Sequence, residues 1–240
     1  IILAMGGSAL AGDLLKIRLP KVPLIIHKNY GLPNVSNEIL KDSLIIAISY
    51  SGKTEEIIDG YNQAKRKKLN LAVISTGGLL LSKAKQDKKP FIELPNLNIQ
   101  PRLAIGVIIK SLAVFIDNQK IINEFLFLSQ KLKVKKLQKQ GENLAEKLFN
   151  YIPIIYASEK NKALSYQWKI SFNENAKIPA FYNVFPELNH NEMSSFENLR
   201  QNKKLTEIFY FIFIHDNNDD LRIQKRMKIL KNIWQEKNFK

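Results

Sequence analysis

A carboxylate and an imidazole stand sixteen positions apart in the stretch Phe172–Glu192, read as FNENAKIPAFYNVFPELNHNE. Glu174 lies between two asparagines and His190 between two more. The Pro, Asn and aromatic residues around them mark a shaped loop rather than a plain helix or strand. An imidazole titrates near neutrality and a carboxylate can take and return a proton, so the two together suit an intramolecular proton shift. Each has an ordinary reading alone: Glu174 as a turn carboxylate, His190 as a donor to a nearby carbonyl. The other two histidines, His27 and His215, close apolar runs and read as structural.

What else could do chemistry lies upstream, and it suits an anion. Ser49-Tyr50-Ser51-Gly52-Lys53-Thr54-Glu55-Glu56 follows the apolar run Leu44–Ser49 and precedes a helical stretch to Lys68. Thr54 falls where a helix N-cap belongs, yet a cap needs only one hydroxyl. Ser49, Ser51 and Thr54 together, with a helix dipole behind them, suit a phosphate monoester. Gly7 and Ser8, in Gly6-Gly7-Ser8-Ala9 after the apolar Ile1–Met5, form a second turn of this kind. Neither the GxxxxGK[ST] spacing of a P-loop nor GxGxxG occurs, which argues against a nucleoside triphosphate and a dinucleotide. Arg102 follows Gln100-Pro101 at the start of an apolar helix. A cation there opposes the helix dipole, so the residue reads as facing a ligand.

Elements to hold these residues are legible around them. Five apolar runs (Ile1–Met5, Leu24–His27, Leu44–Ser49, Leu71–Ser75, Phe91–Leu94) alternate with helical stretches, the pattern of a doubly wound parallel α/β domain. Residues 121–150 are lysine-rich with leucines at near-heptad spacing, and are expected to form a helical connector with a kink near Gly141. A second α/β unit begins at Ile152–Ala157 and continues through a weaker strand at Ala180–Asn183, a strong one at Ile208–His215 and a basic helix from Leu221 to Trp234. The expected division is therefore 1–120, 121–150 and 151–240, with the second α/β domain incomplete.

Composition narrows the function classes. Hydrophobic residues make up 45% and charged ones 25% of 240 residues, as in a globular protein. No apolar run approaches the roughly 18 residues of a membrane span, and no secretory leader is legible. The chain has no cysteine, which removes disulfides, thiolate nucleophiles and thiolate metal sites together. A cytoplasmic location is expected. The net charge of +15 is spread along the chain without basic runs interleaved by aromatics, so a nucleic-acid partner is not expected. It would steer an anionic metabolite instead.

S-x-S-G-x-T after a buried strand, with G-G-S after an earlier one, resembles the sugar isomerase (SIS) domain. Q-P-R, N-E-N and N-H, in that order, resemble the bifunctional phosphoglucose/phosphomannose isomerases over essentially the whole chain. The resemblance implies two SIS domains of flavodoxin-like fold and interconversion of glucose 6-phosphate, with mannose 6-phosphate as a further substrate, and fructose 6-phosphate. It further implies that Ser49, Ser51 and Thr54, helped by Gly7 and Ser8, hold the 6-phosphate. Glu174 would move the proton between C1 and C2, and Arg102 would sit beside the enediolate. His190 would assist ring opening from the neighbouring subunit of a homodimer. No metal or other cofactor is implied. Family members also continue into a segment with a catalytic lysine that neither Lys231 nor Lys240 matches. The chain is accordingly expected to lack residues at both ends, and the piece itself to lack a full catalytic set. The alternative is a non-catalytic SIS module that binds a phosphosugar without turning it over.

Overall fold

A computed structural model describes residues 1–196 and 203–240. The chain divides into two units, Ile1–Leu132 and Lys133–Lys240.

In the first unit, strands β1 (Ile2–Ala4), β2 (Ile26–His27), β3 (Leu44–Ile48), β4 (Asn70–Ser75) and β5 (Phe91–Glu93) alternate with helices α1 (Gly6–Arg18), α2 (Asn37–Asp42), α3 (Glu55–Arg66) and α4 (Gly78–Gln86). The strands are all parallel and lie in the order β2-β1-β3-β4-β5, the doubly wound arrangement expected. Strand periodicity sorts the core. Ile2, Ala4, Ile46 and Ile48 pack with Leu15 of α1 on one face, whereas Leu3, Ile45 and Ala47 pack with Ile57 and Tyr61 of α3 on the other. Because both faces are covered, these strands read as continuous apolar runs rather than alternating ones. A 3₁₀ turn, Pro101–Leu103, then leads into α5 (Ile105–Phe115) and α6 (Gln119–Lys131). Ile108 and Leu112 of α5 lie on the α1 side of the sheet.

The second unit opens with α7 (Val134–Lys147). α7 continues unbroken through Gly141. A single glycine costs a helix about 1 kcal/mol, which the surrounding helix-forming residues absorb. Between α6 and α7, at Leu132, the backbone turns extended with φ −76° and ψ 112°. After α7 come β6 (Ile152–Ser158) and α8 (Lys162–Ser171), then β7 (Phe181–Phe185), two short helices α9 (Glu192–Ser195) and α10 (Lys203–Thr206), β8 (Phe209–Phe213) and α11 (Leu221–Glu236). β6 is central in a parallel sheet ordered β7-β6-β8. Tyr156, Phe185, Phe211 and Trp234 build an aromatic core on one face, with Phe211 and Trp234 centroids 3.9 Å apart.

Candidate active site

In an open α/β sheet the ligand crevice forms where strand order reverses, here between the carboxyl ends of β1 and β3. Both turns singled out for an anion end there. The glycine segment after β1, expected as a turn, proves to be helical: α1 begins at Gly6, because small residues let the helix start flush against its strand. Gly6 takes the left-handed φ of +47°, and open space surrounds its missing Cβ. Gly7 has a different cause. A Cβ there would lie 2.4 Å from the Arg102 backbone nitrogen, so Gly7 is what lets the Pro101–Leu103 turn seat against α1. The structure thereby brings the Gly7 and Arg102 segments together, although their sequence positions are 95 apart. Arg102 itself is half-buried on that turn.

The turn after β3 is built on Ser49, which is only 1% exposed. Its Oγ lies 2.7 Å from Thr54 Oγ1 and accepts from the Thr54 amide at 3.4 Å. Thr54 has the extended backbone of an N-cap residue, but its side chain makes no capping bond. Its hydroxyl turns to Ser49 instead, leaving the first-turn amides of α3 to another acceptor. Ser51 is exposed at the rim, and its Oγ accepts from the Lys53 amide at 3.3 Å. Ser8 is buried and its Oγ accepts from the Tyr50 amide at 3.3 Å, tying the α1 turn to the β3 turn. All five predicted anion residues therefore stand on two adjoining turns.

Sequence reasoning did not find the support beneath them. The turn after β4, Ser75 to Gly78, interlocks with the β3 turn. A Cβ on Gly52 would meet Gly77 O at 1.8 Å, and one on Gly78 would meet Ser51 O at 2.5 Å. Thr76 donates its hydroxyl to Tyr50 O at 2.6 Å, and its amide donates to the same oxygen at 3.1 Å. The Leu80 amide donates to Gly52 O at 2.9 Å. Its only sequence signal was the S-T-G-G run itself.

The predicted acid–base residues lie in the second unit, and the loop expected around them has regular structure. Glu174 rides on a single π-helical turn, Phe172–Ala176, that extends α8 and ends at Lys177 in the left-handed conformation, φ 59°. π-turns of this kind are frequent at functional sites. Asn173 donates to Ile178 O at 2.9 Å, which fixes the exit of the turn, and Glu174 is half-buried. His190 ends the 3₁₀ turn Glu187–His190 and is exposed. Leu188, fully buried, pins that turn to the core. Of the other two histidines, His27 Nε2 lies 3.0 Å from Tyr30 O, and His215 stacks on Phe213.

A profile of the bacterial phospho-glucose isomerase C-terminal SIS domain matches residues 137–240. The chain is 35% identical over 251 residues to the bifunctional phosphoglucose/phosphomannose isomerase of Caldicellulosiruptor bescii, covering 97% of this chain and 72% of that one. The chain belongs to this isomerase family. A second member, from Thermoplasma volcanium, is 34% identical over 238 residues, covering 97% of this chain and 73% of its own length. Among solved structures, the tagatose-6-phosphate ketose/aldose isomerase of Escherichia coli shares the fold, with a TM-score of 0.69 at 17% identity over 99% of this chain and 67% of that one.

Proposed function

We propose that this family member interconverts glucose 6-phosphate and mannose 6-phosphate with fructose 6-phosphate through a cis-enediolate. The observation that carries the reading is Thr54, an N-cap residue whose hydroxyl pairs with Ser49 rather than capping its helix. Helix stability gives no reason for three hydroxyls on that turn, whereas a phosphate monoester does. Ser51 and Thr54 face the phosphoryl oxygens, Ser49 holds Thr54 from below, and Gly7 and Ser8 close the other side.

Aldose–ketose exchange needs one group to lift a proton from one carbon and return it to the next. Glu174 takes the C2 proton of the open-chain aldose; the electron pair forms the C1–C2 double bond, and the carbonyl oxygen becomes an enediolate. The O2 hydroxyl proton passes to O1, and the same carboxyl then delivers its proton to C1 as the C2–O bond becomes the carbonyl, giving the ketose. Arg102 stabilises the enediolate charge, since a guanidinium stays protonated at any working pH. His190 moves the proton that ring opening requires, an imidazole being suited to this near neutrality. It acts in a homodimer, from the neighbouring subunit.

The test is a coupled isomerase assay of the full-length protein with each hexose 6-phosphate, beside Glu174→Gln. The expected outcome is turnover of both sugars by the wild type and none by the variant, which still binds them. Binding without turnover by the wild type would instead make it a phosphosugar-sensing module.

A further inference from the structure

Glu192 closes the N-H-N-E run that contains His190, and the reading above gives it no part. It opens α9 and is half-buried. Both carboxylate oxygens are engaged, and by different strands: Tyr156 of β6 donates its hydroxyl to Oε1, and Asn183 of β7 donates its side-chain amide to Oε2. The Asn183 orientation is set independently, because its Oδ1 accepts from the Val184 amide at 2.8 Å and so leaves the NH₂ group toward Glu192. Burial, and then the Glu192 charge, push the Tyr156 phenol well above its ordinary range, so it stays a donor. On the other side of His190, Leu188 is buried in the same core that holds Tyr156. The imidazole thus rides on a short bridge with an apolar foot two residues before it and an ionic foot two residues after it.

We propose that Glu192 is the positioning residue for His190. It fixes the exposed imidazole by clamping the chain behind it to two neighbouring strands at once. A carboxylate accepts from both facing groups at once. A glutamine has one oxygen, so its NH₂ must either confront the Asn183 amide or turn the Tyr156 hydroxyl from donor to acceptor, and the charge that strengthens both bonds is lost. The inference rests on His190 acting in ring opening, so its test carries a control for that role.

Glu192→Gln, Tyr156→Phe and His190→Ala are compared in the full-length protein for kcat, KM, thermal midpoint and binding of a hexitol 6-phosphate, which cannot cyclise. A misplacement of order 1 Å costs a catalytic group roughly tenfold to a hundredfold. Glu192→Gln is therefore expected to lower kcat by about tenfold or more, with KM within about twofold and hexitol phosphate binding unchanged. Tyr156→Phe, which leaves one oxygen without its donor, falls between it and the wild type. If His190→Ala is slow but a folded Glu192→Gln turns over at the wild-type rate, the clamp is not needed and the inference is wrong. If His190→Ala itself keeps full turnover, the role of His190 fails and the inference falls with it. Loss of hexitol phosphate binding in Glu192→Gln would show a general structural role and overturn the assignment too.

Discussion

At the scale of single residues, Thr54 separates binding from helix stability. Its side chain makes no cap, so Thr54→Ala forfeits little of the ~1 kcal/mol that losing an N-cap usually costs. A hydrogen bond to a charged group is worth about 1.5–3 kcal/mol, so steady-state kinetics should show KM raised by roughly tenfold to a hundredfold with kcat nearly intact. A collapse of kcat at unchanged KM would remove Thr54 from the phosphate. The adjacent glycines make a second contrast. Gly6→Ala meets open space and costs only the left-handed backbone strain, about 1 kcal/mol. Gly7→Ala places a methyl 2.4 Å from the Arg102 nitrogen and must push that turn aside. Chemical denaturation should show the larger loss for Gly7→Ala, and kinetics should show a fall in kcat for that variant through Arg102. Equal effects would mean that the two segments do not depend on each other.

Among the elements, the loop after β8 is bound to the carboxyl end of β6 by charge. Lys160 donates to Asp216 at 2.8 Å, Asn161 donates to Asp216 at 3.1 Å, and Ser158 donates to the buried Asp219 at 2.7 Å. Lys160 first, then the Asn218 amide and the Asn161 side chain, hold the Asp216 carboxyl below its ordinary value of 3.8. A depressed folded value means that this stabilisation is complete above about pH 4 and is lost as the pH falls through the lower, folded value. Asp216→Asn should therefore flatten the acid limb of thermal midpoint against pH below 3.8 and leave the neutral limb parallel to that of the wild type. An unchanged acid limb would assign it to other carboxylates. The elements were largely legible in the sequence because most strands among the described residues lie in apolar runs that alternate with helical stretches. What escaped has one cause. The start of α1 at Gly6, the π-turn under Glu174 and the seating of Pro101–Leu103 on Gly7 all depend on partners distant in sequence, and local pattern carries no trace of those.

For the molecule as a whole, the net charge of +15 bears on how an anion arrives. Raising ionic strength from about 10 mM to about 150 mM shortens the screening length from roughly 30 Å to 8 Å. Stopped-flow or steady-state measurement should then show kcat/KM falling several-fold while kcat holds, the behaviour of electrostatic steering. If kcat falls in parallel, the charge is acting at the chemical step instead. Among the described residues no helix is long and apolar enough to cross a membrane. One further consequence concerns the order in which the protein comes together. Gly52 and Gly78 each leave no room for anything but the other turn's backbone, so the proposed anion cradle cannot mature before β4 has docked beside β3. Substrate affinity is on this account a late-arriving property of the chain. Anything that loosens β4 and α4, however far from the sugar, will register first as a weakened grip on phosphate.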